Sequence, residues 1–178
     1  YLMCLPAVIM GRHWMDPIKV YFQQTEAHGY MWLNFSSFWI LIGDDYDMLK
    51  KAAIFTTIAV LGAAVCYMLY IKMDLQSPTK FLSAAVWMAW SCILFLPAMR
   101  ERYSYLIDIL LLLLIFMDKQ YTLIFVIEII SSILRYKYYL FNGAEVSEWQ
   151  AVVYLAAWIL LTWQVFAKKK GQSGIGIA

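Results

Sequence analysis

The chain has 178 residues, of which 63% are hydrophobic and 17% aromatic, while only 15% are charged. Soluble domains have about a quarter of their residues charged, so this composition speaks against a soluble protein and indicates one that lies in a membrane. The formal net charge of +2 is too small to predict nucleic acid as a partner, and membrane lipid is the partner that we expect.

The first run, residues 2–10, is apolar, and we expect it to be the end of a transmembrane helix that begins upstream of the sequence. The chain would then be the C-terminal part of a larger protein. Residues 11–51 are too polar to span a bilayer but carry many aromatic side chains, which collect in the headgroup zone of membranes. We therefore predict one or two interfacial helices in residues 11–51.

Later runs predict further membrane segments. A spanning helix needs about 20 apolar residues, and three runs meet this length: 52–71, 81–99 and 149–167. Two shorter runs, 104–117 and 121–134, are separated by three polar residues and predict a helical hairpin. The sequence thus predicts an all-α polytopic transmembrane bundle of about six segments, with one domain over residues 1–170 and a flexible tail over 171–178.

The orientation rests on Lys168, Lys169 and Lys170, which follow the last predicted span and favour the cytoplasm. Counting spans backwards from these lysines places residues 100–103 and residues 11–51 on the outer face. That these two segments share one side follows from the number of spans between them and does not depend on the absolute orientation.

A charged group stands at the end of the second long run. Arg100, Glu101, Arg102 and Tyr103 follow Pro97, which we expect to loosen the helix end. Guanidinium groups at a membrane surface can bind a phosphate or carboxylate through two hydrogen bonds, and a neighbouring carboxylate could pair with them or orient them. The alternative is a set of snorkelling side chains that ends a helix.

The predicted hairpin carries polar residues at helical spacing on both of its helices: Glu101, Tyr105 and Asp108 on the first, and Glu128, Ser131, Ser132 and Arg135 on the second. Counted from the tip, Asp108 and Glu128 lie at comparable depth. Ionisable residues inside a membrane are candidates for function, because each costs at least a few kcal/mol unless it is paired or hydrated. The alternative is a structural network in which Arg135 satisfies a carboxylate.

Other polar groups favour no metal or cofactor site. The acidic run with Asp44, Asp45 and Asp47 could bind a divalent cation or simply begin the next helix. The three cysteines stand singly in apolar runs, with no metal-binding or redox spacing, which is typical of packing residues. The sequence contains none of the nucleotide-binding or hydrolase motifs of soluble enzymes.

Two stretches are similar to one family of membrane enzymes. Residues 96–103, LPAMRERY, resemble the LPxMHERY stretch of bacterial membrane mannosyltransferases related to the second mannosyltransferase of GPI-anchor synthesis, which use polyprenyl-phosphate sugars. Gln24, Asn34 and Trp39 are similar in order and spacing to the family's Q…LNAPNxW region. Arg100 stands where the family usually has histidine, and Asn34 is followed by Phe and Ser in place of Ala and Pro.

The resemblance covers about residues 1–117 and implies a multi-pass glycosyltransferase of the bacterial inner membrane. Such an enzyme transfers a sugar, here mannose, from a polyprenyl-phosphate carrier to an acceptor on the outer face. The resemblance implies that the catalytic aspartate lies in the missing N-terminal half, and it implies no cofactor. The residues that it implies for substrate binding are Gln24, Asn34, Arg100, Glu101, Arg102 and Tyr103, with both arginines on the carrier phosphate.

Two other functions remain open from the residues alone. Asp108 and Glu128 could form an ion or proton relay in a transporter or flippase. The chain could also be a structural membrane subunit without chemistry of its own.

Overall fold

The computed structural model describes residues 5–11, 13–16, 19, 29–141 and 145–167. These residues form a mostly helical bundle with two short strands. The helices are α1 (Leu5–Ile9), α2 (Tyr46–Tyr70), α3 (Pro78–Phe95), α4 (Tyr105–Met117), α5 (Thr122–Phe141) and α6 (Glu148–Phe166). Three short 3-10 helices cover Phe38–Leu41, Glu101–Ser104 and Lys119–Tyr121, and the strands are β1 (Trp32–Leu33) and β2 (Met99–Arg100).

Helix α3 lies at the centre of the bundle and packs against α2, α4 and α6, while α5 packs against α4 and α6. Two indole hydrogen bonds join α3 to α6. Trp87 Nε1 donates to Thr162 Oγ1 at 2.7 Å, and Trp158 Nε1 donates to Ser91 Oγ at 2.9 Å. Because lipid gives apolar helices little reason to associate with each other, such bonds and close packing hold a membrane bundle together.

Three of the described helices are long and apolar enough to cross a membrane: Tyr46–Tyr70, Pro78–Phe95 and Glu148–Phe166. Large apolar side chains such as Phe55, Phe116 and Trp163 lie on the outside of the bundle, as lipid contact requires. Helix α4 has 13 residues and rises about 20 Å, short of the bilayer's apolar thickness of about 30 Å. The predicted number of about six membrane segments is therefore not supported.

Two predicted boundaries shift for local reasons. Helix α3 ends at Phe95 and not at residue 99, because Leu96 precedes Pro97 and adopts an extended backbone. Helix α2 begins at Tyr46, six residues before the predicted start at 52, because the Asp45 side chain caps it by accepting from Met48 N at 3.0 Å. The acidic run thus starts a helix, the second of the two interpretations.

Residues 31–39, here called the bridging segment, lie against the C-terminal end of α3. The last carbonyl groups of a helix have no partner within it. Here Ser37 Oγ donates to Leu94 O at 3.3 Å, and Trp39 Nε1 donates to Phe95 O at 2.7 Å. Phe35 and Trp39 are buried within the protein, so these two aromatic residues do not lie among lipid headgroups as predicted. Within residues 29–45, the helical element is the 3-10 helix Phe38–Leu41, whose Trp39 is buried against α3.

Replacing Trp39 with phenylalanine is expected to lower the free energy of unfolding by about 1–3 kcal/mol, because it leaves the Phe95 carbonyl without its donor. Unfolding in mixed detergent micelles measures this change. Trp163→Phe is the matched control: Trp163 is 72% exposed, and its substitution should change the free energy by no more than about 0.5 kcal/mol. If the two substitutions had equal effects, the hydrogen bond from Trp39 to the Phe95 carbonyl would not contribute to stability.

Candidate functional site

The bridging segment pairs with the residues that follow α3. Strands β1 and β2 are parallel, with Trp32 opposite Met99 and Leu33 opposite Arg100, and Ala98 N donates to Met31 O at 2.8 Å. The pairing confirms, for these residues, that the two family-like stretches lie at the same end of the bundle. Asn34 and Ala98, at the ends of the pairing, have positive φ angles of 49° and 57°, where a non-glycine side chain is strained.

The charged group that begins at the end of β2 is here called the arginine corner: Arg100, Glu101, Arg102 and Tyr103. Arg102 and Tyr103 are exposed, and Arg100 is half-buried. Glu101 is buried, its Oε2 atom has no hydrogen-bond partner, and its predicted pairing with a neighbouring arginine is not formed. Within the described part of the chain, neither guanidinium forms an ion pair.

Asn34 is held between two other elements. Its Nδ2 atom donates to Arg135 O of α5 at 2.9 Å, and its Oδ1 atom accepts from Val146 N, before α6, at 3.1 Å. Both ends of the amide are therefore used inside the protein. Asn34 therefore ties the bridging segment to α5 and to the residues that precede α6. Gln24, the other loop residue that the resemblance implies, lies outside the described residues.

An ion pair lies inside the bundle on α5. Arg135 Nη2 donates to Glu128 Oε1 at 2.7 Å, and both side chains are completely buried. The two residues are seven positions apart, and side chains on a helix lean toward its N-terminus, so Arg135 reaches back over two turns. The interpretation that Arg135 satisfies a carboxylate is confirmed.

Two aromatic rings also enclose the Arg135 guanidinium. Its Cζ atom lies 5.2 Å from the centre of the Phe35 ring and 4.7 Å from that of Tyr154, distances at which a cation is attracted to a ring face. Sequence reasoning missed both residues. Tyr154 could have been recognised from the sequence, because it is a lone tyrosine in an apolar part of α6. Phe35 could not, because it is one of many aromatic residues in its segment.

Asp108 of α4 completes the polar cluster. Ser132 Oγ donates to Asp108 Oδ2 at 2.9 Å, and Ser132 lies one turn after Glu128 on the same face of α5, so Asp108 faces the side of α5 that carries Glu128. Several buried polar atoms here have no hydrogen-bond partner: Asp108 Oδ1, Glu128 Oε2, Arg135 Nε and Nη1, and the Tyr154 hydroxyl.

Comparison with protein families, curated proteins and solved structures finds no match to this chain.

Proposed function

We propose that the chain is part of a multi-pass glycosyltransferase of the bacterial inner membrane, which transfers mannose from a polyprenyl-phosphate carrier to an acceptor on the outer face. The observation that carries the proposal is the parallel pairing of Leu33 with Arg100. It brings together the two stretches in which the chain resembles polyprenyl-phosphate-dependent mannosyltransferases, although they are far apart in the sequence.

The arginine corner supplies the chemistry for the carrier phosphate. Arg100 and Arg102 make no ion pair in the described part of the chain, and a guanidinium binds a phosphate through two parallel hydrogen bonds. As the sugar leaves, negative charge grows on the phosphate, and fixed cations stabilise that charge. Tyr103, which is exposed beside them, would line the headgroup region.

In this proposal, other residues of the chain position the arginine corner, and the catalytic residue is assigned to another part of the whole protein. Asn34 holds the bridging segment, which in turn pairs with Arg100. Following the family resemblance, the proposal assigns the catalytic aspartate to the N-terminal part of the whole protein. The chain's own contribution is then to bind the lipid-linked donor and to stabilise the leaving phosphate.

Substituting Arg102 with glutamine tests the proposal in membranes that contain the protein expressed from its complete reading frame. Transfer of radiolabelled mannose from polyprenyl-phosphate mannose should fall at least about tenfold, because a charge-assisted hydrogen bond contributes about 1.5–3 kcal/mol. Lys80→Gln is the matched control, since it removes the same charge from the first turn of α3, at the end remote from the corner. Unchanged transfer by the Arg102 variant would contradict the proposal.

The buried polar cluster favours a second candidate, a transporter or flippase in which Asp108 and Glu128 relay an ion or proton. Carboxyl groups buried between helices mark ion pathways in many membrane proteins. Under this candidate, Asp108→Asn abolishes transport and Arg102→Gln leaves it intact. The reverse pattern, in which sugar transfer depends on Arg102, favours the glycosyltransferase.

A further inference from the structure

The buried cluster does not balance in charge. Arg135 brings one positive charge, while Asp108 and Glu128 bring two carboxyl groups, and the Arg135–Glu128 ion pair uses only one of them. Two ionised carboxylates near each other repel, and an uncompensated charge in a protein interior is strongly unfavourable. One bound proton would bring the net charge of the three residues to zero.

The two carboxyl groups also have unsatisfied hydrogen-bonding atoms. Asp108 Oδ1 and Glu128 Oε2 are both buried and lack a partner, although Ser132, which donates to Asp108, lies one helical turn after Glu128 on the same face of α5. Two bare carboxylates have only acceptors and cannot bond to each other. A single proton between them turns one carboxyl into a donor, which gives the pair the hydrogen bond that it lacks.

The neighbouring elements do not supply a second cation among the described residues. The titratable and charged groups that interact with the pair are Arg135 and Tyr136 on α5 and Tyr154 on α6. Arg135 is the cation among them. Helix α3 contributes Trp90, whose ring lies 4.9 Å from that of Tyr154 and carries no charge.

We propose that Asp108 and Glu128 share one bound proton and form a proton-binding site inside the bundle. Arg135 pairs with Glu128 Oε1, the proton joins Glu128 to Asp108, and Ser132 donates to Asp108 Oδ2. The site binds its proton whichever of the two candidate functions the protein has.

Infrared spectroscopy of the purified protein in lipid nanodiscs tests this site at neutral pH. The wild type should show the C=O stretch of a protonated carboxyl group, recognised by its shift in deuterated water. Asp108→Asn and Glu128→Gln should each remove the band completely, because the one remaining carboxylate then pairs with Arg135 alone. Asp47→Asn, at an exposed carboxylate in the first turn of α2, is the matched control and should keep the band.

Two results would overturn the proposal. Absence of the band from the wild type would show that both carboxyl groups are ionised, and this measurement does not depend on any variant folding. Persistence of the band in one of the two single variants would show a carboxylic acid that holds its proton alone. Ser132→Ala offers a milder check, since it should keep the band and shift its frequency by removing a donor to Asp108.

Discussion

Arg135→Gln is expected to lower the free energy of unfolding by about 3–5 kcal/mol, because removing one member of a buried ion pair leaves the other charge uncompensated. Arg135 and Glu128 are both fully buried, and Asp108 adds a second carboxyl group beside them. The guanidinium also loses its contacts with two rings, Phe35 and Tyr154. Unfolding by dodecyl sulfate in mixed micelles, followed by tryptophan fluorescence, measures the change.

Arg102→Gln is the matched control, since Arg102 is exposed and makes no ion pair in the described chain. Its substitution should change stability by no more than about 0.5 kcal/mol. A double variant, Arg135→Met with Glu128→Leu, should recover much of the loss, because apolar residues of similar volume often replace a buried ion pair without cost. An Arg135→Gln variant as stable as the wild type would contradict the importance of this ion pair.

Asn34→Ala is expected to cost about 3 kcal/mol of stability. It leaves two backbone groups, the Arg135 carbonyl and the Val146 amide, without their partner, at about 1 kcal/mol or more each. Alanine also tolerates the φ of 49° less well than asparagine, which adds about 1 kcal/mol. The same unfolding measurement checks the value.

Asn34→Gly separates the two contributions, because glycine accepts the positive φ but makes no side-chain bond. It should be more stable than the alanine variant by about 1 kcal/mol and still less stable than the wild type. Both variants should also bind the polyprenyl-phosphate sugar more weakly, because Asn34 fixes the position of the segment that pairs with Arg100. If a variant lost mannose transfer without any loss of stability, Asn34 would not act by positioning the bridging segment. That result would indicate that Asn34 contacts the substrate directly.

Much of the helical layout could be predicted from the sequence, because apolar runs of sufficient length reveal membrane helices directly. The runs at 52–71, 81–99 and 149–167 correspond to α2, α3 and α6. The hairpin of α4 and α5 was also predicted, together with the polar faces that meet inside it. Charged residues are rare enough in such a chain that their spacing alone indicates which faces point inward.

The bridging segment could not be predicted, because its contacts are between residues distant in the sequence. Ser37 and Trp39 donate hydrogen bonds to the last carbonyl groups of α3. Asn34 forms hydrogen bonds with Arg135 of α5 and with Val146, which precedes α6. Nothing in a polar, aromatic stretch distinguishes a segment buried against helices from one that lies on a membrane surface. The predicted number of membrane segments is not supported for a different reason, since the hairpin helices have apolar runs but lack the length or composition to span.

The most direct test of the proposed function is binding of polyprenyl-phosphate mannose to the purified protein in nanodiscs of zwitterionic lipid. The wild type should bind the radiolabelled donor saturably, and excess unlabelled polyprenyl phosphate should displace it. The Arg100→Gln, Arg102→Gln double variant should bind at least about 100-fold more weakly, since each guanidinium contributes about tenfold or more, while Lys80→Gln should bind as the wild type does. Equal binding by the double variant and the wild type would contradict the assignment of the arginine corner to the carrier phosphate.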